Sequence, residues 1–577
     1  MENIAPPFAD QTARPWSVLF RWLLFPGVFL FIGNAAGAEH EIEAPPQVPY
    51  QVWPSQPPND CPFAPSRDIV AVAFTGRNAS YTSADTWYPS WASDGNLYSP
   101  WTDGTVEGVH AFSGGDKANT GFATIIGDDP LKLVVTNAGI VPNSPAPYGG
   151  RYPCGSLVAN GVWFYGTYCL IETPKLGLNW DVLGPFVGFR WSTNFGKTWT
   201  DTPHTPAQPL FSEPKIPGGK VKMGAPHFVD FGKNLEHSPD GKAYLVGHGA
   251  ADPDPQPRPG NLSWITGDQI YLARVSPTIA EINDGSRYEF FAGNDSSGEP
   301  SWVSDFAKIK PLVEWNNRCG CVTMTYDPPL KKFLMCITDG GNTISRFNSY
   351  ILEADRITGP WKLATFLKNF GEQAYFVNIP SRFLSADGRS AWLCYAANFT
   401  GGWASDPPGS RYGMCLQEIR LLKPTDPVIS SPLLGPNNVA RKARVTVSST
   451  HPDYKTAGMI DGVVGGFPGE ISFEWATRAE KETALVRLTW KTPQTIDRVW
   501  LFDRPNSLDQ ITSGLLVFSD GSTLKTGPLP DDGRRGLEVV FPARQAEWLA
   551  FFVTGVKKST ANIGLSEMAV FSVAPEK

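Results

Sequence analysis

Asp85, Asp94 and Asp103 punctuate one aromatic stretch, "DTWYPSWASDGNLYSPWTDG", which runs from Asp85 to Gly104. Two carboxylates held close cannot both ionise easily, so one stays a neutral acid and the other a charged base or nucleophile. Hydrolysis of a glycosidic bond uses such a pair, about 5–5.5 Å apart for retention and about 6.5–9.5 Å for inversion. Asp94 precedes Gly95 and reads as a turn former. A turn centred on Asp94 sets Asp85 opposite Asp103. That pairing hangs on register, because a slip of one residue sends the two side chains to opposite faces.

Other hairpins must bring partners to this pair. Turn signals recur at Ala159-Asn160-Gly161, Pro239-Asp240-Gly241-Lys242, Asp327-Pro328-Pro329-Leu330 and Ala386-Asp387-Gly388. Aromatic-rich strands flank them, and outer strands such as "GPFVGFRWS", "DQIYLARV", "SYILEADRI" and "GMCLQEIRL" follow. Five such units predict a five-bladed β-propeller over residues 61–421, with an irregular β-sandwich as the competing reading. In a propeller the second strands of the hairpins end at one mouth. Those ends read "SPWTDG", "VWFYGT", "YLVGHG", "FLMCITDGG" and "CYAANF", and deliver Asp103, Thr167 with Tyr168, His248, Asp339 and Asn398. The first strands bring Asp85, Arg151, His227, Arg318 and Asn378 to the same funnel. Asp85 and Asp103 are therefore the candidate catalytic residues. Arg151, Tyr168, His227, His248, Arg318, Asp339 and Asn398 are the candidate substrate contacts, with Glu372 a spare acid. The structural alternatives are turn caps for the aspartates and core positions for the histidines.

A chain of 577 residues exceeds one ordinary domain. The 56 glycines and 53 prolines suit short strands joined by tight turns rather than long helices. A net charge of −7 argues against nucleic acid as a partner. Near the N-terminus, "RWLLFPGVFLFIGNAAGAEH" has a basic residue, a short apolar run and an Ala36-Gly37-Ala38 cleavage pattern. Residues 1–38 are expected to be a signal peptide, leaving no stable membrane span and a secreted, periplasmic or cell-surface chain; an uncleaved anchor is the alternative. Residues 39–60 read as a Pro-rich linker or surface arm and 422–437 as a second linker. Eight cysteines in an oxidising compartment predict some disulfides, and Cys319-Gly-Cys321 is too weak a pattern to suggest a metal. A monomer is expected.

Three segments carry resemblances. "STNFGKTWT" resembles the Asp-box turn of sialidase-type propellers, with Asn194 where aspartate is usual. The arginine cluster and tyrosine–acid nucleophile of a sialidase have no counterpart here. The opening stretch, with "GAPHFVDFG" and "SPDGKAYLVGHG", resembles DUF4185-type, glycoside-hydrolase-like five-bladed propellers, in the broader group of arabinanase and β-fructosidase folds. That resemblance implies a first-blade aspartate pair, falling on Asp85 and Asp103, and possible action on arabinan- or furanoside-type polymers. "ARVTVSSTHPDYKTAGMIDGVVGG", "VRLTWKTPQTIDRVWLFDRPN" and "IGLSEMAVFSV" resemble the discoidin (F5/8 type C) jelly roll over residues 438–575. This implies a carbohydrate-binding module, with Trp475 and Arg478 as ligand contacts and Arg504 as a packing residue. Some relatives hold a structural Ca2+, although no oxygen-ligand run marks one here; no other cofactor is expected.

The expected fold is all-β, a propeller followed by a jelly roll. The expected function is a secreted glycoside hydrolase acting on a polysaccharide. The alternative is a non-catalytic glycan-binding or adhesion protein, and a sialidase stands third.

Overall fold

The computed structural model describes residues 50–573 apart from Pro54, Asp116, 144–149, 172–181, 214–220, 250–263, 341–344, 399–405, Asp532 and Arg534. The expected signal peptide and most of the first linker lie outside the described residues.

The chain is all-β, with one short α-helix, Ser431–Leu434, among the described residues. Five antiparallel sheets follow one another along residues 71–422. The first has Ser83–Asp85, Leu97–Val106, Asn119–Ile126 and Val134–Pro142 in order. The second has Gly150–Ala159, Val162–Ile171 and Val182–Ser192. The third starts at Gly224–Phe228, the fourth at Val322–Asp327 and the fifth at Tyr375–Asn378. Each opening strand touches a strand of the preceding sheet, and Ser83–Asp85 touches the fifth sheet, so the sheets close into a ring. Closure is made by the N-terminal strand Ala71–Tyr81, which pairs with Met414–Leu422 as an outer strand of the fifth sheet.

Local chemistry explains these hairpins. Asn160 and Gly161 both have positive φ (51° and 79°), and Ala159 pairs with Val162 across that two-residue turn. The Asp-box-like turn works with asparagine. The Asn194 Oδ1 atom accepts from the Ser192 hydroxyl (2.9 Å) and the Thr198 N–H (2.9 Å), while Trp199 packs on Trp163 and Tyr165. Between the opening strands, the Thr323 and Thr325 hydroxyls donate to the Val377 and Ile379 carbonyls at 2.7 and 2.6 Å. Half-buried Asp230 accepts from the Ser381 N–H and hydroxyl, both at 2.7 Å.

The C-terminal region forms a sheet in the order Arg444–Val447, Leu485–Phe502, Leu537–Val556, Ile511–Phe518, Thr523–Thr526, with Glu567–Ser572 also on Leu485–Phe502. Trp475–Ala476 pairs with Gly564–Leu565. Buried positions alternate along "LVRLTW", as a strand with one buried face requires, and supply a core including Leu488, Val499, Phe518 and Phe551.

Both segments read as linkers contribute strands. Tyr50–Val52 pairs with Ala71–Tyr81 and with Val428–Ile429, which in turn pairs with Val463–Val464. The fifth sheet thus continues into the C-terminal region, and Gln47–Lys577 forms one compact unit. All eight cysteines are free thiols, seven of them buried, contrary to the expected disulfides. Among the described residues no helix is long and apolar enough to cross a membrane.

Candidate functional site

The first hairpin sets the site. Its turn is held by Asp94, which accepts from the Asn96 N–H (2.9 Å) and the Tyr98 hydroxyl (2.6 Å). The register expected from that turn holds at Trp91–Leu97, Ser90–Tyr98 and Ser83–Thr105. It fails at Asp85, which pairs with Thr102 instead of Asp103. An extra residue is absorbed by a bulge at Asp103, whose φ is 46°, and by the left-handed Thr86 at 61°. Gly104 is obligatory beside that bulge, because a Cβ there would lie 2.0 Å from the Ser83 carbonyl oxygen. The bulge re-aims the Asp103 side chain. The aspartates are not a cross-strand pair, yet both line one cavity of about 220 Å3.

The two carboxyls sit in different environments. Asp85 is 8% exposed; its Oδ2 accepts from the Tyr375 hydroxyl at 2.6 Å, while Oδ1 is buried without a hydrogen-bond partner. Burial, and then the Asp103 charge, push the Asp85 carboxyl well above the usual range against the pull of the Tyr375 hydroxyl. Asp103 accepts from the Ser113 N–H (2.8 Å) and hydroxyl (2.5 Å). Burial raises it too, opposed by those two donors. Burial keeps the Tyr375 and Tyr412 phenols protonated, and Tyr412 donates to the Asp103 carbonyl at 2.6 Å. The arrangement offers a neutral acid at Asp85 and a hydrogen-bonded carboxylate at Asp103.

The walls are aromatic. Tyr152 and Tyr168 are cross-strand partners with rings stacked 5.6 Å apart, and Trp264 packs edge-on against Tyr375 at 5.1 Å. Tyr168 was expected there. Its neighbour Arg151 turns to the opposite face, as strand alternation demands, and donates from Nε to the Thr167 hydroxyl at 3.1 Å. His227 lies behind Phe376, with ring centroids 4.9 Å apart, and accepts at Nδ1 from the Gly155 N–H (3.2 Å). Burial, and then His248, push it down to about 3, so it is a neutral core histidine. His248 is fully buried and does not line the cavity. Arg318 and Asp339 pair with each other at 2.6 Å, away from the cavity lining, and Asn398 does not line it either. Glu372 pairs with Arg346 at 2.5 Å.

Sequence reasoning missed Tyr152, Trp264, Tyr375, Phe376, Tyr412 and Ser113. It looked for polar groups at strand ends, whereas these are mainly aromatics, and Tyr412 precedes the strand Met414–Leu422.

In the C-terminal region Trp475 is a core residue, 1% exposed, with Nε1 donating to the Ser449 carbonyl at 3.0 Å. It has no face to offer a ligand. Arg478 is exposed. Arg504 is buried and forms ion pairs with Glu474 (2.9 Å) and Asp509 (3.1 Å), in keeping with packing. One carboxylate trio among the described residues, Asp68, Glu353 and Asp355, has metal-like spacing. Lys332 Nζ lies 2.5, 3.1 and 2.6 Å from the three, which gives the cluster its own cation.

Residues 438–571 match a family model described as "Domain of unknown function (DUF7402)". Solved structures similar to part of the chain include the lectin domain of lectinolysin complexed with Lewis B antigen, at 21% identity over 24% of this chain and 99% of that one, TM-score 0.20. Another is the family 32 carbohydrate-binding module of Clostridium perfringens NanJ in complex with galactose, at 12% identity over 23% and 97%, TM-score 0.20. A third is chitosan-binding module 1 from a chitosanase/glucanase of Paenibacillus sp. IK-5, at 18% identity over 23% and 98%, TM-score 0.19. No curated protein matches the chain.

Proposed function

We propose that the protein binds glycans, with one saccharide site in the Asp85–Asp103 cavity and a second glycan-binding surface in the C-terminal region. The observation that carries the first site is the aromatic cavity itself. Tyr152, backed by the buried Tyr168, and Trp264 offer aromatic surface to the apolar faces of a sugar, while Asp85, Asp103 and the tyrosine hydroxyls offer hydrogen bonds to its hydroxyls. A cavity of about 220 Å3 suits a single sugar ring. The ring of five sheets, read as a five-bladed propeller, would hold that site, and linked sites raise the effective concentration of polymer at each. The reading retains an exported chain.

A second reading is hydrolysis of the bound glycan. The contrast between a protonated Asp85 and a hydrogen-bonded Asp103 supports it, since acid and base need different environments. A glycan panel tests both readings, with binding and new reducing ends measured on the same samples. Binding without reducing ends leaves glycan recognition as the function; binding with release establishes hydrolysis. No binding to any glycan overturns both.

A further inference from the structure

The Asp85–Asp103 cavity is lined by two carboxyl groups. Among the described residues its lining contains no lysine, arginine or histidine. His110 acts electrostatically on Asp103 but is exposed and outside the lining. Arg151, one residue before Tyr152, points to the other face of its strand and hydrogen-bonds Thr167. Asp103 is satisfied by Ser113 alone, and Asp85, 8% exposed, keeps Oδ1 without a partner. A buried carboxylate without a cation is costly, and a ligand that carries the cation relieves the cost. The aromatic faces act in the same direction, because the ring quadrupole attracts ammonium groups and does nothing for anions.

We propose that the cavity takes a saccharide ring bearing a free ammonium group, an amino sugar without its N-acyl substituent, held between the carboxyls of Asp85 and Asp103 and the ring of Tyr152, which Tyr168 backs by stacking. Uronic and other acidic sugars would meet the Asp103 carboxylate with no cation in the described lining to offset it, and are disfavoured. The inference rests on reading the cavity as a glycan site and adds the charge of the ligand to it.

Calorimetric titration of the full chain with glucosamine, N-acetylglucosamine and glucose tests it at about pH 6, below the range in which amines lose their proton. Glucosamine is expected to bind at least about tenfold more tightly than the other two. Asp103→Asn should bring the three within about threefold of one another, and Tyr152→Leu, which removes stacking area from every sugar, should weaken glucosamine about fivefold more than it weakens glucose. The second variant keeps the test decisive if the first fails to fold. Equal binding of the three sugars overturns the ammonium assignment and leaves the glycan site standing. A glucosamine preference that survives in both variants places the ammonium elsewhere and overturns it too. No heat with any of the three removes the glycan site itself.

Discussion

The Tyr375 hydroxyl donates to Asp85 Oδ2 at 2.6 Å, while Asp85 Oδ1 is buried with no hydrogen-bond partner. An oxygen that already accepts a strong donor is the poorer place for the carboxyl proton. The proton of the neutral acid therefore belongs on Oδ1, the buried oxygen without a hydrogen-bond partner. A tyrosine on the first strand of the fifth sheet thus orients an acid on the first strand of the first sheet.

Replacing Tyr375 by Phe removes that donor from a buried acid. Stability is expected to fall by about 1 kcal/mol, the usual net worth of one such bond. The Asp85 carboxyl should move further up, because the tyrosine hydroxyl now pulls it down. Urea unfolding measures the first effect and a carboxyl-resolved NMR titration the second. An unchanged urea midpoint and carboxyl titration would show that the bond is not formed in solution.

Asp503 gives a pH prediction with a definite sign. Burial pushes it up to about 7, against the N–H groups of Ile511 and Arg504, which donate to it at 2.9 Å each. Between about pH 4 and 7 the folded chain holds this proton while the unfolded chain has lost it. Stability must fall as pH rises through that window, by at most about 1.4 kcal/mol per pH unit for this group. Asp503→Asn keeps one of the two acceptor oxygens. It should start about 1 kcal/mol less stable at about pH 4 and lose less on the way to pH 7. Parallel stability–pH curves for the two proteins would contradict the assignment.

These sites differ in how readable they are from sequence. The Asp94-Gly95 turn depends only on neighbouring residues, and the structure has it where the sequence implies. The meeting of Asp85 and Asp103 depends on a bulge that no turn signal announces, so the pair shares a cavity through a different register from the expected one. Arg151 and Tyr152 show the same limit, since adjacent strand residues face opposite ways and residue type alone does not say which faces the cavity. Trp475 is a third case. An aromatic beside an arginine reads equally as a ligand platform or a core residue, and only its burial decides for the core. Tyr375, Tyr412 and Trp264 reach the cavity from segments far apart in the chain, a tertiary coincidence that strand periodicity does not encode.

Asn194 replaces the aspartate of the Asp-box pattern and does its work. Its Oδ1 accepts from the Ser192 hydroxyl and the Thr198 N–H, and its Nδ2 donates to the Thr198 hydroxyl at 2.8 Å. Asn194→Asp keeps the acceptor, and the Thr198 hydroxyl can rotate to donate, so the change should lie within about 0.5 kcal/mol of neutral. Asn194→Ala removes all three bonds and should cost about 1–3 kcal/mol. Thermal unfolding of both variants checks the contrast, and equal losses would count against the hydrogen-bonded turn as the stabilising element.

Arg504 tests the buried charge network of the C-terminal region. Glu474 is fully buried and pairs with Arg504 at 2.9 Å. Arg504→Ala leaves that carboxyl without its counter-charge, with only the Phe467 N–H still donating to it, and should destabilise the fold by about 3–5 kcal/mol. Glu474→Gln together with Arg504→Met replaces the pair by a neutral amide and an apolar chain, and should recover at least about 1 kcal/mol of that loss. Chemical unfolding of the single and double variants gives the comparison, and a double variant no better than Arg504→Ala would show that packing, not the stranded charge, sets the cost.

If the bound glycan is hydrolysed, the two aspartates must fail in different ways. Asp85 is the group held neutral, so its work is to protonate the departing oxygen. Asp85→Asn should slow cleavage of a natural linkage by about 100-fold or more, the usual share of general acid catalysis. A 4-nitrophenyl glycoside leaves without needing that proton and should be cleaved by the same variant within about tenfold of the wild-type rate. Asp103 activates water or attacks the sugar directly, a task that no leaving group relieves. Asp103→Asn should therefore lose cleavage of both substrates while still binding neutral glycan. Single-turnover rates on the two substrates separate the roles. Rescue of Asp103→Asn by the activated substrate, with none for Asp85→Asn, would exchange the assignments, and equal loss in both variants on both substrates would mean that the protonation contrast does not divide acid from base.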